Sequence, residues 1–167
     1  MSRPLAPKGG NDNVMTPESL AAQIVSHFSP TGSILEPCRG EGAFFDAFCL
    51  QPEVTDIEWG EISQGRDFLT WDLGGTHYDW TITNPPWSQI RPFLRRAMEV
   101  SDNVVFLCLV NAFFMKARLR DMKEAEFGFK EIVFVKTPPR PWRKTGFQLG
   151  APHIQRGYAG PVTFSSL

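Results

Sequence analysis

The stretch Thr83–Trp87, reading T-N-P-P-W, sets a side-chain amide, two residues without an N–H and a large flat ring directly behind the apolar segment YDWTIT. A strand ending this way stops pairing, and the prolines hold its carbonyl oxygens in fixed directions. Asn84, Pro85, Pro86 and Trp87 thus offer acceptors beside an aromatic face, which suits a flat polar group. A second constellation lies upstream in ILEPCRGEGAFF. There Glu36 ends an apolar run, Pro37 follows, and Gly40 and Gly42 allow close backbone approach to a ligand. The free N–H groups of the helix behind them can receive a carboxylate. Phe45 occupies the third glycine position of the dinucleotide fingerprint and opposes the close helix packing such sites use. About twenty residues further on, Glu58 and Glu61 can each accept from both hydroxyls of a ribose. Glu61 is favoured because it lies nearer the carboxyl end of its strand. In GRDFL, Asp67 can accept from an adenine amino group while Phe68 packs against the ring.

These groups need a scaffold, and the hydrophobic pattern supplies one. Thr16 and Pro17 read as a hydroxyl N-cap and a first-turn proline, followed by Leu20, Ala21, Ile24, Val25 and Phe28 at helical spacing. GSILEPC reads as a strand, GAFFDAFCL as a helix, and TDIEWGEI, YDWTIT, NVVFLCLV and KEIVFV as further strands. NVVFLCLV has the unbroken apolar character of a strand covered on both faces. A helix starts near Ser88 and buries Ile90, Phe93, Leu94 and Ala97, and MKARLRDMKEAEF forms another. FQLGAPHIQRGY and VTFSS close the chain as an antiparallel pair. The alternation predicts a mostly parallel α/β sheet with an antiparallel edge and helices on both faces.

With 167 residues and 42% apolar content the chain suits one domain over residues 14–167 behind a Pro, Gly and Asn-rich flexible arm, residues 1–13. Cys38, Cys49 and Cys108 stand singly in apolar stretches. They read as buried thiols in a reducing cytoplasm. No run of about 18 apolar residues suggests a membrane span, and His27, His77 and His153 lack metal-ligand spacing. The net charge of −1 conceals a division: residues 1–83 carry −8 and residues 84–167 carry +7. One half suits a cation and the other a polyanion.

In order and content TPESLAAQIV, LEPCRGEGAF, GEI, GRDFL and NPPW resemble the S-adenosylmethionine-dependent adenine-N6 DNA methyltransferases, above all the small phage and bacterial forms that occur with or without a partner nuclease. The resemblance covers about residues 14–114. It implies the seven-stranded sheet of the Rossmann-like class I methyltransferases. It implies Thr16, Pro17, Glu36, Pro37, Gly40, Gly42, Glu61, Asp67, Phe68 and Asn84 at S-adenosylmethionine, and Asn84, Pro85, Pro86 and Trp87 in catalysis. Direct in-line methyl transfer then follows base flipping, with Trp87 receiving the base. Two residues depart from the family pattern: Trp87 where Tyr or Phe is commoner, and Arg39 in a loop usually lined by small residues. Cys38 resembles the Pro-Cys of cytosine-C5 enzymes, but it falls in the cofactor loop, away from any base.

The same tetrapeptide serves enzymes that methylate glutamine side chains and RNA bases, and a non-catalytic methyltransferase-fold binding module is a further alternative. The positive second half favours DNA, expected to be double-stranded. The segment KTPPRPWRKTGF is its candidate contact, through Arg140, Trp142, Arg143 and Lys144. Only 80 residues follow Trp87, which leaves no room for a separate target-recognition domain. A short or relaxed recognition sequence, or one that needs a dimer partner, is the expectation for a monomer or homodimer.

Overall fold

A computed structural model describes residues 14–167; the expected arm at 1–13 lies outside the described residues. Helix α1 (Glu18–Phe28) leads into strand β1 (Gly32–Glu36), helix α2 (Ala43–Cys49) and strand β2 (Val54–Trp59). Strand β3 (Tyr78–Thr83), helix α3 (Ile90–Val100), strand β4 (Ser101–Phe106) and the two-residue β5 (Cys108–Leu109) follow. Helix α4 (Lys116–Glu124) and strands β6 (Phe127–Phe134), β7 (Leu149–Arg156) and β8 (Thr163–Ser166) complete the order.

The strands form one sheet in the order β2-β1-β3-β4-β7-β6-β8, with β5 on β7. Strands β2, β1, β3 and β4 are parallel. The sheet has eight strands against the seven expected, because the apolar run NVVFLCLV divides at Leu107 into β4 and β5. The expected pairing of the last two strands is not formed. β7 instead lies inside the sheet, antiparallel to β4 and β6, and β8 runs parallel to β6 at the far edge. A strand as apolar as β7 gains more from neighbours on both sides than from an edge. The exposed pattern of β8 fits an edge.

Alternation along the strands divides their side chains between two cores. Val105 and Leu107 point to the side of Leu20, Ile24, Phe44 and Phe48 from α1 and α2. Val104, Phe106 and Cys108 point to Ile90, Phe93, Leu94 and Met122 from α3 and α4. The apolar face expected of α3 is buried in full, with Met98 added. Two local expectations are corrected. Pro17, not Thr16, is the N-cap of α1, and no side chain bonds to that helix start among the described residues. Cys49 is exposed at the end of α2 rather than buried, because the helix runs out on the surface there.

The chain leaves β1 outward to β2, then returns across β1 to β3 on its other side. At such a reversal open α/β sheets place their ligands, at the carboxyl ends of the strands. Glu36 ends β1 and Thr83 ends β3. Both constellations singled out by residue type therefore meet at one place.

Candidate active site

The glycine loop is built by backbone bonds to β2. Gly60 N–H donates to the Glu36 carbonyl at 2.8 Å and Arg39 N–H to the Gly60 carbonyl at 2.9 Å. Gly60 must be glycine, since a Cβ would lie 2.9 Å from the Pro37 carbonyl oxygen and 3.2 Å from that of Arg66. Gly40 and Gly42 have φ of 53° and 95°, the left-handed region in which a side chain is strained. Gly42 caps the start of α2.

Around this loop the acids take different states. Glu36 is 1% exposed, and its Oε2 has no hydrogen-bond partner among the described residues. Burial holds its carboxyl well above the usual range, and Asp46 and Glu61 add to that, against Arg39 and the Phe45 N–H. Glu61 behaves oppositely. Burial would raise it, but the Ser63 N–H and hydroxyl, the Gly40 N–H and the charge of Arg39 outweigh this and hold it below the usual range. Its Oε2 accepts from Gly40 N–H at 2.9 Å, and its Oε1 from Ser63 N–H at 3.2 Å and the Ser63 hydroxyl at 3.0 Å. Of the two candidate acids it is Glu61 that reaches the glycine loop, whereas Glu58 pairs with Arg66 at 3.0 Å. Arg39 lies across the loop with its guanidinium carbon 4.9 Å from the Phe45 ring and 5.0 Å from that of Trp59.

Opposite, Asn84 is half-buried, and its Nδ2 donates to the Val14 carbonyl at 3.1 Å and the Thr16 hydroxyl at 3.2 Å. A carbonyl can only accept, so the Val14 bond fixes which end of the amide faces it and turns Oδ1 the other way. Thr16, expected as a helix cap, is therefore a positioning group for Asn84. Pro85 is buried, and Trp87 is half-buried with Nε1 donating to the Leu107 carbonyl at 3.2 Å. Cys38 beside Thr83 stays a thiol, because burial pushes its pKa far up.

Asp67 is half-buried, with Oδ1 accepting from Leu69 N–H at 3.1 Å. Phe68 offers no open face: it is 1% exposed, its ring 5.3 Å from Phe93 and under the Arg96 guanidinium. Trp142 is the second departure. Expected on an open cationic loop, it is 5% exposed, donates Nε1 to the Met15 carbonyl at 3.1 Å and meets Trp87 edge-on at 5.9 Å. In both cases a large ring beside the sheet gains more from core burial than from partial contact with solvent. Arg140, Arg143 and Lys144 are exposed around it. Val14, Met15 and Leu107 act through main-chain carbonyls, for which no residue type is a signal. Ser63, two positions after Glu61, was legible as a hydroxyl able to bond back to an acid. Among the described residues no helix is long and apolar enough to cross a membrane, and no group of His, Cys, Asp and Glu could hold a metal ion.

No protein-family model matches the chain, and no curated protein matches it in sequence. Solved structures do. A Listeria monocytogenes protein described as a class I S-adenosylmethionine-dependent methyltransferase matches with a TM-score of 0.69 at 13% identity, over 93% of this chain and 66% of its own. The 23S rRNA methyltransferase ErmE gives 0.62 at 16%, over 89% of this chain and 73% of its own. A modification subunit of a type I restriction enzyme from Vibrio vulnificus YJ016 gives 0.61 at 18%, over 94% and 48%. The chain thus spans about two thirds of the Listeria protein and about half of the Vibrio subunit. Strand order, the reversal between β1 and β3 and these likenesses identify the architecture as the Rossmann-like fold of the class I methyltransferases.

Proposed function

We propose that the chain transfers a methyl group from S-adenosylmethionine to the N6 amine of adenine in DNA. The observation that carries this reading is the orientation of Asn84, whose amide nitrogen is tied to Val14 and Thr16 so that Oδ1 is the end left to face a substrate.

The residues present suit the cofactor. Glu36 supplies a buried carboxyl oxygen that no described donor meets, at the end of the central strand. The Gly40 and Gly42 turn admits close backbone approach, and Glu61 and Asp67 supply acceptors on the far side of the loop. Thr16, Pro17 and Pro37 complete the set of residues assigned to the cofactor in this reading. S-adenosylmethionine supplies, when bound, a methyl group on positively charged sulfur, which suits direct displacement without a protein nucleophile. The chain's own task is then positioning. An adenine amine is unreactive because its lone pair is delocalised into the ring. Asn84 Oδ1 and the Pro85 carbonyl, each accepting one of its hydrogens, favour the pyramidal nitrogen whose lone pair is free. Pro85 and Pro86 carry no N–H to compete for those acceptors.

Trp87 receives the turned-out base, with stacking worth about 1–3 kcal/mol. Its ring is held by the Leu107 carbonyl and by Trp142. DNA is favoured as the polymer by the cationic segment.

Incubation of the purified chain with methyl-labelled cofactor and DNA, RNA or protein tests this reading, beside an Asn84→Ala control. Label in N6-methyladenine of DNA, lost in the control, is expected. Label confined to protein would replace the reading with glutamine methylation, and label confined to RNA with RNA base methylation. Tight cofactor or DNA binding without transfer would leave a non-catalytic binding module.

A further inference from the structure

With Trp142 turned inward, the exposed ring of the cationic segment is Phe147, at 60% exposure. Thr145 fixes its backbone: the Thr145 hydroxyl accepts from Phe147 N–H and donates to the Phe147 carbonyl, both at 3.1 Å. Both ends of the segment are pinned, one of them at Trp87. On one side Trp142 binds the Met15 carbonyl and touches Trp87. On the other, the Gln148 carbonyl accepts from Val110 N–H at 2.9 Å, and Gln148 Nε2 donates to the Val135 carbonyl at 3.0 Å. Between these anchors Arg143, Lys144, Thr145, Gly146 and Phe147 are all exposed. Residues 136–148 contain four cations and no acid.

A single exposed apolar side chain needs no explanation. A phenylalanine held out by its own turn, three residues beyond a pair of cations and on a loop fastened to the catalytic aromatic, fits a particular task. Turning a base out of a duplex leaves a gap that the neighbouring bases close again unless something fills it, and apolar side chains fill such gaps. We propose that Phe147 enters the stack of duplex DNA at the position vacated by the target adenine, with Arg143 and Lys144 on the flanking phosphates. This deepens the reading of the chain as a DNA adenine methyltransferase and rests on it.

The test compares methyl transfer by the wild-type chain, Phe147→Ala and Phe147→Trp on native and on heat-denatured genomic DNA. Phe147→Ala is expected to slow transfer to native DNA about tenfold or more and to denatured DNA by less than about threefold, since a single strand has no closing stack. Phe147→Trp keeps the native rate within about threefold. Equal losses on both substrates, or no loss on native DNA, would overturn the role of Phe147 while leaving the methyltransferase reading intact. A wild-type chain that labels neither DNA, or labels RNA alone, would instead overturn that reading and the inference with it.

Discussion

In the proposed reaction Asn84 acts through an oxygen that the fold aims, not through an acid or a base. Its Nδ2 bonds to Val14 and Thr16 are what do the aiming, so the amide and not merely an acceptor is required. Asn84→Ala is expected to lower methyl transfer about 100-fold or more, the scale seen when a fixed polar group at a reacting centre is removed. Asn84→Asp keeps an acceptor but sets a carboxylate oxygen against the Val14 carbonyl, and its loss should be of similar size. Full activity in Asn84→Asp, measured by the same label assay, would refute the orientation account. Glu36 carries a pH prediction. Its folded-state pKa is raised above the ordinary value of 4.5, chiefly by burial, so above that pH the unfolded chain holds fewer protons than the folded one. Stability contributed at this site therefore declines as pH rises. Glu36→Gln removes that term. Urea unfolding should show the variant gaining on the wild type as pH rises above 4.5. A pH-independent difference would contradict a raised Glu36.

At the level of elements, the helices and parallel strands follow from periodicity. Leu20, Ala21, Ile24 and Val25 fall on the buried face of α1, and Ile90, Phe93, Leu94 and Ala97 on that of α3, as their spacing requires. What periodicity could not supply was the partner of each strand. β7 carries one charge, Arg156 at its end, and β8 carries none, and only competition for neighbours puts one inside the sheet and the other at its edge. The loop behind β6 was legible as cationic, but which of its rings is buried was not, since Trp142 and Phe147 differ only in what the folded chain sets around them. Trp142 is the anchor of that loop. Trp142→Ala is expected to cost about 3–5 kcal/mol in denaturant unfolding, as for other buried tryptophans. Trp142→Phe should retain a substantial part of the packing while losing the bond to Met15. A Trp142→Ala chain as stable as the wild type would remove the anchor from the account.

For the whole molecule, charge and topology combine. The acidic first half contributes the glycine loop and its carboxylates, and the basic second half the loop around Trp142. Elsewhere in the basic half two of the arginines are paired with acids, Arg91 with Asp121 at 2.7 Å and Arg156 with Asp102 at 3.0 Å. Residues 136–148 are the stretch that holds four cations and no acid. Replacing Arg143 and Lys144 by Ala should leave unfolding within about 0.5 kcal/mol of the wild type. It should flatten the salt dependence of DNA binding by about one unit of slope per residue. Binding with an unchanged slope, measured by fluorescence anisotropy across a salt series, would place the phosphate contacts elsewhere. The sequence by itself determined the fold class, the two loops that carry chemistry and the types of group they offer, because turn chemistry and hydrophobic period are local properties of the chain. Only the tertiary structure decided that Thr16 braces Asn84, that Glu61 rather than Glu58 reaches the glycine loop, that Phe68 and Trp142 are interior, and that Phe147 is not. Those outcomes depend on distances between residues far apart in the chain, which no local pattern encodes.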